Sequence, residues 1–330
     1  MKSQSFWSIF ATGLREFIDL KRSLGYKYKE EERNLLTFDA FVLERAHSQP
    51  GLSKELADKW VERRNNESDL TKYSRVLIVR QFAEYLRTCG IPTYIPSLPK
   101  YPQCTFIPHI FTHEEMNAIF KACDELRMQL RNMDSCLLIM PCLLRMLYGT
   151  GIRIGEALFL KNKDVDTNGK FLILRATKNG RDRLVPISSS LAFVCLNYLD
   201  YRKRLPAPGL EEPNNPFFGS LNGRPCRHSA IHRWFRKVLI LADIPYTGNR
   251  KGPRIHDIRH TFACHSFVKL ADDGVDLYCS WPYLSTYLGH QSLEATEQYI
   301  RLTAQMYPSL VNNIEGVHVD VLPDIVIKTT

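Results

Sequence analysis

Phe171-Leu172-Ile173-Leu174-Arg175-Ala176-Thr177-Lys178-Asn179-Gly180-Arg181-Asp182-Arg183-Leu184-Val185-Pro186-Ile187 is the stretch that decides the fold class. Asn-Gly between two apolar runs is a strong hairpin signal, because both residues tolerate the positive φ of a type I′ turn. The spacing predicts strands over 171–177 and 183–187, joined by a turn at 178–181. Outward from the hairpin the period changes from two to helical. Helices are predicted at about 113–130, 136–148, 189–204, 228–242, 256–270, 281–288 and 292–306. Thr112-His113-Glu114-Glu115 opens the first of these as an S/T-x-x-E start. The segment from Leu270 to Tyr283 reads as a surface loop ahead of a helix beginning near Trp281, and Val317–Val321 alternates like an edge strand. The expected class is mainly α with a small antiparallel β-sheet.

Residues 1–95 read as a separate helical domain. Leu14, Phe17, Ile18 and Leu24 recur at helical spacing, as do Leu35, Leu36, Phe38, Phe41 and Val42. A third helix starts after Ser53, a good N-cap, and a fourth runs over 70–86 and stops at Cys89-Gly90-Ile91-Pro92. Pro96, Pro99, Pro102 and Pro108 then oppose both helix and sheet, so 96–111 reads as a linker. The second domain is expected over 112–309, with 310–330 as a tail.

The chain has 330 residues, 44% of them hydrophobic and 24% charged, which supports a sizeable core and excludes global disorder. Its net charge of +9 is unevenly placed: residues 170–260 hold 17 basic and 6 acidic residues. Such a one-signed excess favours a phosphate-binding surface over a merely solvated face. Nine cysteines without a C-x-x-C pair read as free thiols of a reducing compartment. The apolar run before Arg15 and Glu16 is too short for a secretory signal, and the most apolar window, 136–149, is broken by Pro141 and Arg145. A cytoplasmic protein without a membrane partner is expected.

Three motifs carry chemistry. Arg153 and Glu156 stand three apart at a glycine-led helix start, where the acid can orient the guanidinium; a purely structural pair is the alternative. In His256-Asp257-Ile258-Arg259-His260, His256 and Arg259 share a face. His256 and His260 also fit H-x-x-x-H, but no third ligand follows at sensible spacing, so no metal is expected. Leu288-Gly289-His290 precedes Tyr299 by nine residues counted from His290. A lone helical Tyr is ordinarily core, and paired arginines can grip a phosphate without reacting. No Walker-type loop occurs.

Taken in order, Arg-x-x-Glu, a hairpin Lys, His-x-x-Arg-His, Gly-His and the Tyr nine residues on resemble the tyrosine recombinase (phage integrase) family, which includes Xer, Cre and lambda-integrase proteins and transposases of some mobile elements. The resemblance covers about 112–305 and implies that 1–95 is a SAM-like core-binding domain. It implies catalytic roles for Arg153, Lys178, His256, Arg259, His290 and Tyr299, with Glu156 and His260 supporting them. Tyr299 would attack phosphorus to give a 3′-phosphotyrosyl link, and Lys178 would protonate the leaving 5′-oxygen. His256 would serve the tyrosine proton, and His290 would hydrogen-bond the phosphate. Two forked guanidiniums would stabilise the transition-state charge, with no cofactor, metal or ATP. The chain departs from many members in placing Thr177, where they have Gly, before Lys178.

Arg181, Arg183, Arg224, Arg227, Arg233, Arg236 and Lys237 are the expected DNA contacts of the basic window. Lys21, Arg22, Lys27, Lys29, Arg63, Arg64, Lys72, Arg75 and Arg80 would line the opposing jaw, about half of them simply solvated. The implied partner is double-stranded DNA at specific recombination sites, with a dimer on one site, a homo-tetramer on two, accessory directionality proteins and a tail exchanged between protomers. The expected function is site-specific recombination for integration, excision or transposition. A DNA-binding accessory protein without turnover and a type IB topoisomerase are the alternatives.

Overall fold

The computed structural model describes residues 5–103, 107–127, 135–175, 182–205, 207–246, 252–275 and 277–289. The chain divides into two compact units, 1–106 and 107–330, and the division falls inside the proline-rich stretch. Unit 1 contains α1 (Ala11–Ser23), α2 (Lys29–Glu44), α3 (Lys54–Val61) and α4 (Asp69–Thr88). Ser53 and Ser68 cap α3 and α4, accepting from the N–H groups of Leu56 and Thr71. Phe10, Phe17, Phe38, Trp60 and Phe82 are buried together, with Phe38 and Trp60 edge to face at 4.9 Å.

Arg75 is no surface cation. It lies on the buried stripe of α4, its side chain 3% exposed, with Nε donating to Glu67 Oε1 at 2.8 Å and Nη2 to Glu67 Oε2 at 2.9 Å. It also donates to the carbonyls of Trp60 and Glu62. Its expected place on a DNA-facing jaw is therefore corrected. Arg22, Arg63 and Arg80 are exposed or half-buried but pair with Glu32, Asp69 and Glu84.

Unit 2 begins with α5 (His113–Asp124), opened by a reciprocal capping box between Thr112 and Glu115. α6 (Met140–Thr150) carries Pro141 in its first turn, where a missing N–H removes no helical bond. α6 buries Met140, Leu143, Leu144, Met146 and Leu147 and packs against α5, α8 (Ser189–Lys203) and α10 (Asp257–Asp272). Between α6 and α8 lie α7 (Ile154–Phe159) and an antiparallel sheet in the order β1 (Val165–Asp166), β2 (Phe171–Leu174), β3 (Arg183–Pro186). Leu172 faces Val185 and Leu174 faces Arg183. α9 (His228–Leu241) precedes α10, and α11 (Leu277–Leu288) follows it. Ile110, Ala263, Cys264, Phe267, Leu284 and Leu288 form a second buried cluster joining α10 and α11.

The architecture is mainly α with a small antiparallel sheet, as the sequence suggests. The two-residue β1 carries no period of its own and was not expected. α5 stops six residues before its expected end at 130. The expected loop over 270–283 is corrected: α10 runs to Asp272, Gly274 turns the chain at φ 78°, and α11 is under way by Leu277. Pro282, which suits a helix start, lies inside α11 instead. The expected turn at 178–181, the helix at 292–306, the strand at 317–321 and the tail at 310–330 lie outside the described residues. Among the described residues no helix is long and apolar enough to cross a membrane.

Candidate active site

The site is built where α6 hands over to α7. Gly151 closes α6 at φ 59°, and a Cβ there would collide with Phe262 and Leu288, so only glycine fits the turn. Arg153 follows as the N-cap of α7, its backbone extended and its side chain 25% exposed. Glu156 sits at the third helical position. Its Oε2 accepts from the Arg153 backbone N–H and its Oε1 from Arg153 Nη1, both at 2.9 Å. The acid thus fixes both ends of the arginine. It is 8% exposed, and although burial raises its pKa, the Arg153 N–H bond and the charges of Arg183 and Arg153 hold it below the usual carboxylate range.

Arg259 comes from the first turns of α10 and is 2% exposed. Its Nη1 donates to the Gly151 carbonyl at 2.6 Å and its Nη2 to the Leu288 carbonyl at 2.9 Å. One guanidinium therefore joins the turn before Arg153, the start of α10 and the end of α11. Gly289 then turns the chain at φ 67°, immediately before His290.

His256 is the N-cap of α10, and its C=O accepts from the Arg259 N–H. The residue is exposed. The protein packed around the ring, then the guanidiniums of Arg259, Arg254 and Arg153, push its pKa down to about 4 against a weaker pull from Glu156. It is neutral at pH 7 and able to accept a proton. His260 is buried one turn on, its ring edge to face with His256 at 5.0 Å. Asp257, also buried, accepts from the Arg254 N–H at 2.8 Å and fixes the entry to α10.

Beyond the site, the same helix carries His265. Its Nδ1 hydrogen-bonds the Tyr148 hydroxyl at 2.9 Å, and its ring lies 4.1 Å from that of His113. Burial first, then His113, lowers its pKa to about 4.

Of the expected site residues, the structure brings together Arg153, Glu156, His256, Arg259 and His260. Lys178, Arg181, His290 and Tyr299 lie outside the described residues. Arg233, Arg236 and Lys237 stand on the exposed side of α9, opposite buried Ile231, Phe235 and Val238. Arg224 and Arg227 are exposed just before that helix. Among the described residues none of these five is paired with a carboxylate. Lys237 lies over the Trp234 ring at 4.6 Å and Arg236 over Tyr246 at 5.1 Å. The start of α9 abuts the arginine turn, because a Cβ on Gly155 would touch His228 at 3.8 Å.

Arg183 differs from its expected role. It is 15% exposed and bonded to Glu156, so it belongs to the arginine turn and not to the exposed basic face. The β-period carried this signal, because Arg183 shares a face with Val185 and Ile187, both buried. Among the described residues no group of three or more His, Cys, Asp or Glu side chains could hold a metal ion.

Residues 109–306 match the model of the phage integrase family. y4rB of Sinorhizobium fredii, described as an integrase/recombinase, is 31% identical over 93% of this chain and 98% of its own length. Tyrosine recombinase XerA of Pyrococcus horikoshii is 28% identical over 69% of each chain. The crystal structure of XerH site-specific recombinase, bound to a palindromic difH substrate, shares the fold. Its TM-score is 0.62 at 19% identity, covering 86% of this chain and 79% of the other.

Proposed function

The chain belongs to the phage integrase family, and on that premise we propose that it is a tyrosine-type site-specific DNA recombinase, acting in integration, excision or transposition of a mobile element. The observation that carries the reading is the Arg259 guanidinium. It holds together segments 108 and 29 residues away in sequence, those that carry Arg153 and lead into His290. A structural Arg–Glu pair would need no such convergence.

Arg153 and Arg259 present fixed donors to the non-bridging oxygens of a scissile phosphate, where charge builds in the transition state. Glu156 sets the direction of Arg153. Tyr299 attacks phosphorus and displaces the 5′-oxygen, which takes a proton from Lys178; the tyrosine proton passes to neutral His256, and His290 hydrogen-bonds the phosphate. The phosphotyrosyl bond retains the energy of the broken phosphodiester, so rejoining requires no nucleotide. Arg224, Arg227, Arg233, Arg236 and Lys237 grip the duplex, with a dimer on one site and a tetramer on two.

The test uses nicked duplexes cut from the DNA flanking the gene, mixed with the protein in EDTA beside Tyr299→Phe. A denaturant-resistant protein–DNA adduct, absent from the variant, is expected. Site-specific binding by the wild-type chain with no adduct would instead identify a DNA-binding accessory protein. Relaxation of plasmids lacking those flanks would favour a topoisomerase.

A further inference from the structure

Arg183 and Arg153 share one carboxylate. Arg183 Nη2 donates to Glu156 Oε2 at 3.0 Å and its Nη1 lies 3.4 Å from Oε1, while Arg153 donates to the same two oxygens through its backbone N–H and its Nη1. Two like charges are thus held together around an acid only 8% exposed. Arg183 comes from β3, the returning strand of the hairpin that carries Lys178 in its connecting segment. The same Nη1 faces Gly289, where an added Cβ would collide with the guanidinium. Gly289 follows Leu288, whose carbonyl Arg259 holds. Arg183 therefore touches the arginine turn through Glu156 and the approach to His290 directly.

We propose that Arg183 is a positioning residue for Arg153: by sharing Glu156 and bearing on Gly289, it ties the aim of the first arginine to the docked position of the hairpin strand. Its effect on DNA cleavage rests on the recombinase reading; its effect on Arg153 does not. A lysine at 183 would supply the charge without the fork that spans both carboxylate oxygens.

Two measurements on the whole chain test this, using Arg183→Ala, Arg183→Lys, Glu156→Gln and the double variant Arg183→Ala/Glu156→Gln. The first is the order parameter of the Arg153 Nε–H group by nitrogen-15 NMR, with the signal assigned by its loss in Arg153→Lys. Arg153 is expected to be rigid in the wild type and mobile in Arg183→Ala, with the double variant no more mobile than Glu156→Gln. The Lys variant should fall between the wild type and Arg183→Ala. An unchanged order parameter in Arg183→Ala overturns the proposal whether or not any duplex is cleaved. So does a lowered melting temperature with Arg153 still rigid, which would make Arg183 a packing residue.

The second measurement is the rate of adduct formation at saturating nicked duplex. It should fall roughly 10- to 100-fold in Arg183→Ala, the range for removing a residue that orients a reacting group. DNA affinity and its salt slope should be unchanged, and no further loss should appear in the double variant beyond Glu156→Gln. A salt slope lower by about one with an unchanged rate at saturation would make Arg183 a phosphate contact and overturn the proposal. A wild-type chain that forms no adduct would count against the recombinase reading, leaving the NMR result to decide the role of Arg183.

Discussion

Replacing Arg259 by lysine should cost stability as well as activity, and replacing Arg153 by lysine should cost activity almost alone. The Arg259 side chain spans two buried carbonyls, those of Gly151 and Leu288, with the two arms of its fork. Lysine ends one bond short of the Nη atoms and has no fork, so it can hold one carbonyl at hydrogen-bond length but not both. The other is left buried and without its charged donor. A buried polar group deprived of its partner costs about 1–3 kcal/mol. In a unit of this size 1 kcal/mol moves the melting temperature by about 2–4 °C, so a central value of about 2 kcal/mol corresponds to about 4–8 °C.

Arg153 is one-quarter exposed, and Glu156 would keep both its backbone donor and Arg183 after the change. Its loss should cost less than about 1 kcal/mol. Scanning calorimetry of the whole chain resolves this if the two units melt separately, with the effect confined to unit 2. Both variants should form far less phosphotyrosyl adduct. Equal melting temperatures for Arg259→Lys and the wild type, or equal losses in the two variants, would refute the argument that Arg259 is a strut.

Two further outcomes are expected. His256 and His265 have folded pKa values near 4, below the ordinary 6.5, so each disfavours folding when protonated. Their contribution is complete above about pH 6.5 and is lost as pH falls toward 4. The melting temperature of unit 2 should fall over that window, and less steeply in His265→Asn; an equal slope in wild type and variant would exclude His265 from the effect. In unit 1, Glu67→Gln leaves the guanidinium of Arg75 buried without its counter-charge. Breaking a buried pair costs about 3–5 kcal/mol, and the low end applies because the Trp60 and Glu62 carbonyls still accept from Arg75. The unit 1 transition should drop by roughly 10 °C or more with unit 2 unmoved.

The parts of this fold that periodicity governs were legible in the sequence. Four helices upstream of the prolines, the capping box at Thr112 and the antiparallel pairing of the two strands flanking Asn179-Gly180 all follow from side-chain spacing and local hydrogen bonds. The meeting of Arg153, His256 and Arg259 was legible only through the order of motifs, since nothing local brings residue 259 to residue 151. What was misread were charged residues on inward faces. Arg75 falls on the stripe of Val79, Phe82 and Leu86, and Arg183 on the face of Val185, so spacing alone placed both inside. Charge argued for the surface, and charge was the weaker guide because each arginine has a carboxylate waiting: Glu67 eight residues upstream of one, Glu156 far from the other.

The two buried arginine systems obey one physical rule with different consequences. A guanidinium taken out of water must replace its hydration donor by donor, and a fork with fixed geometry does so only where acceptors are already in place. In unit 1 the acceptors are Glu67 and two carbonyls, and the result is a brace between α3 and α4. In unit 2 Arg259 donates to two backbone carbonyls, those of Gly151 and Leu288. Its orientation is therefore set when the unit folds and not when DNA arrives. Donors fixed in advance require no reorganisation as charge develops on phosphate. Glu156 divides the same labour differently at Arg153, partly offsetting its charge to hold its direction, and Arg183 pairs with the same acid.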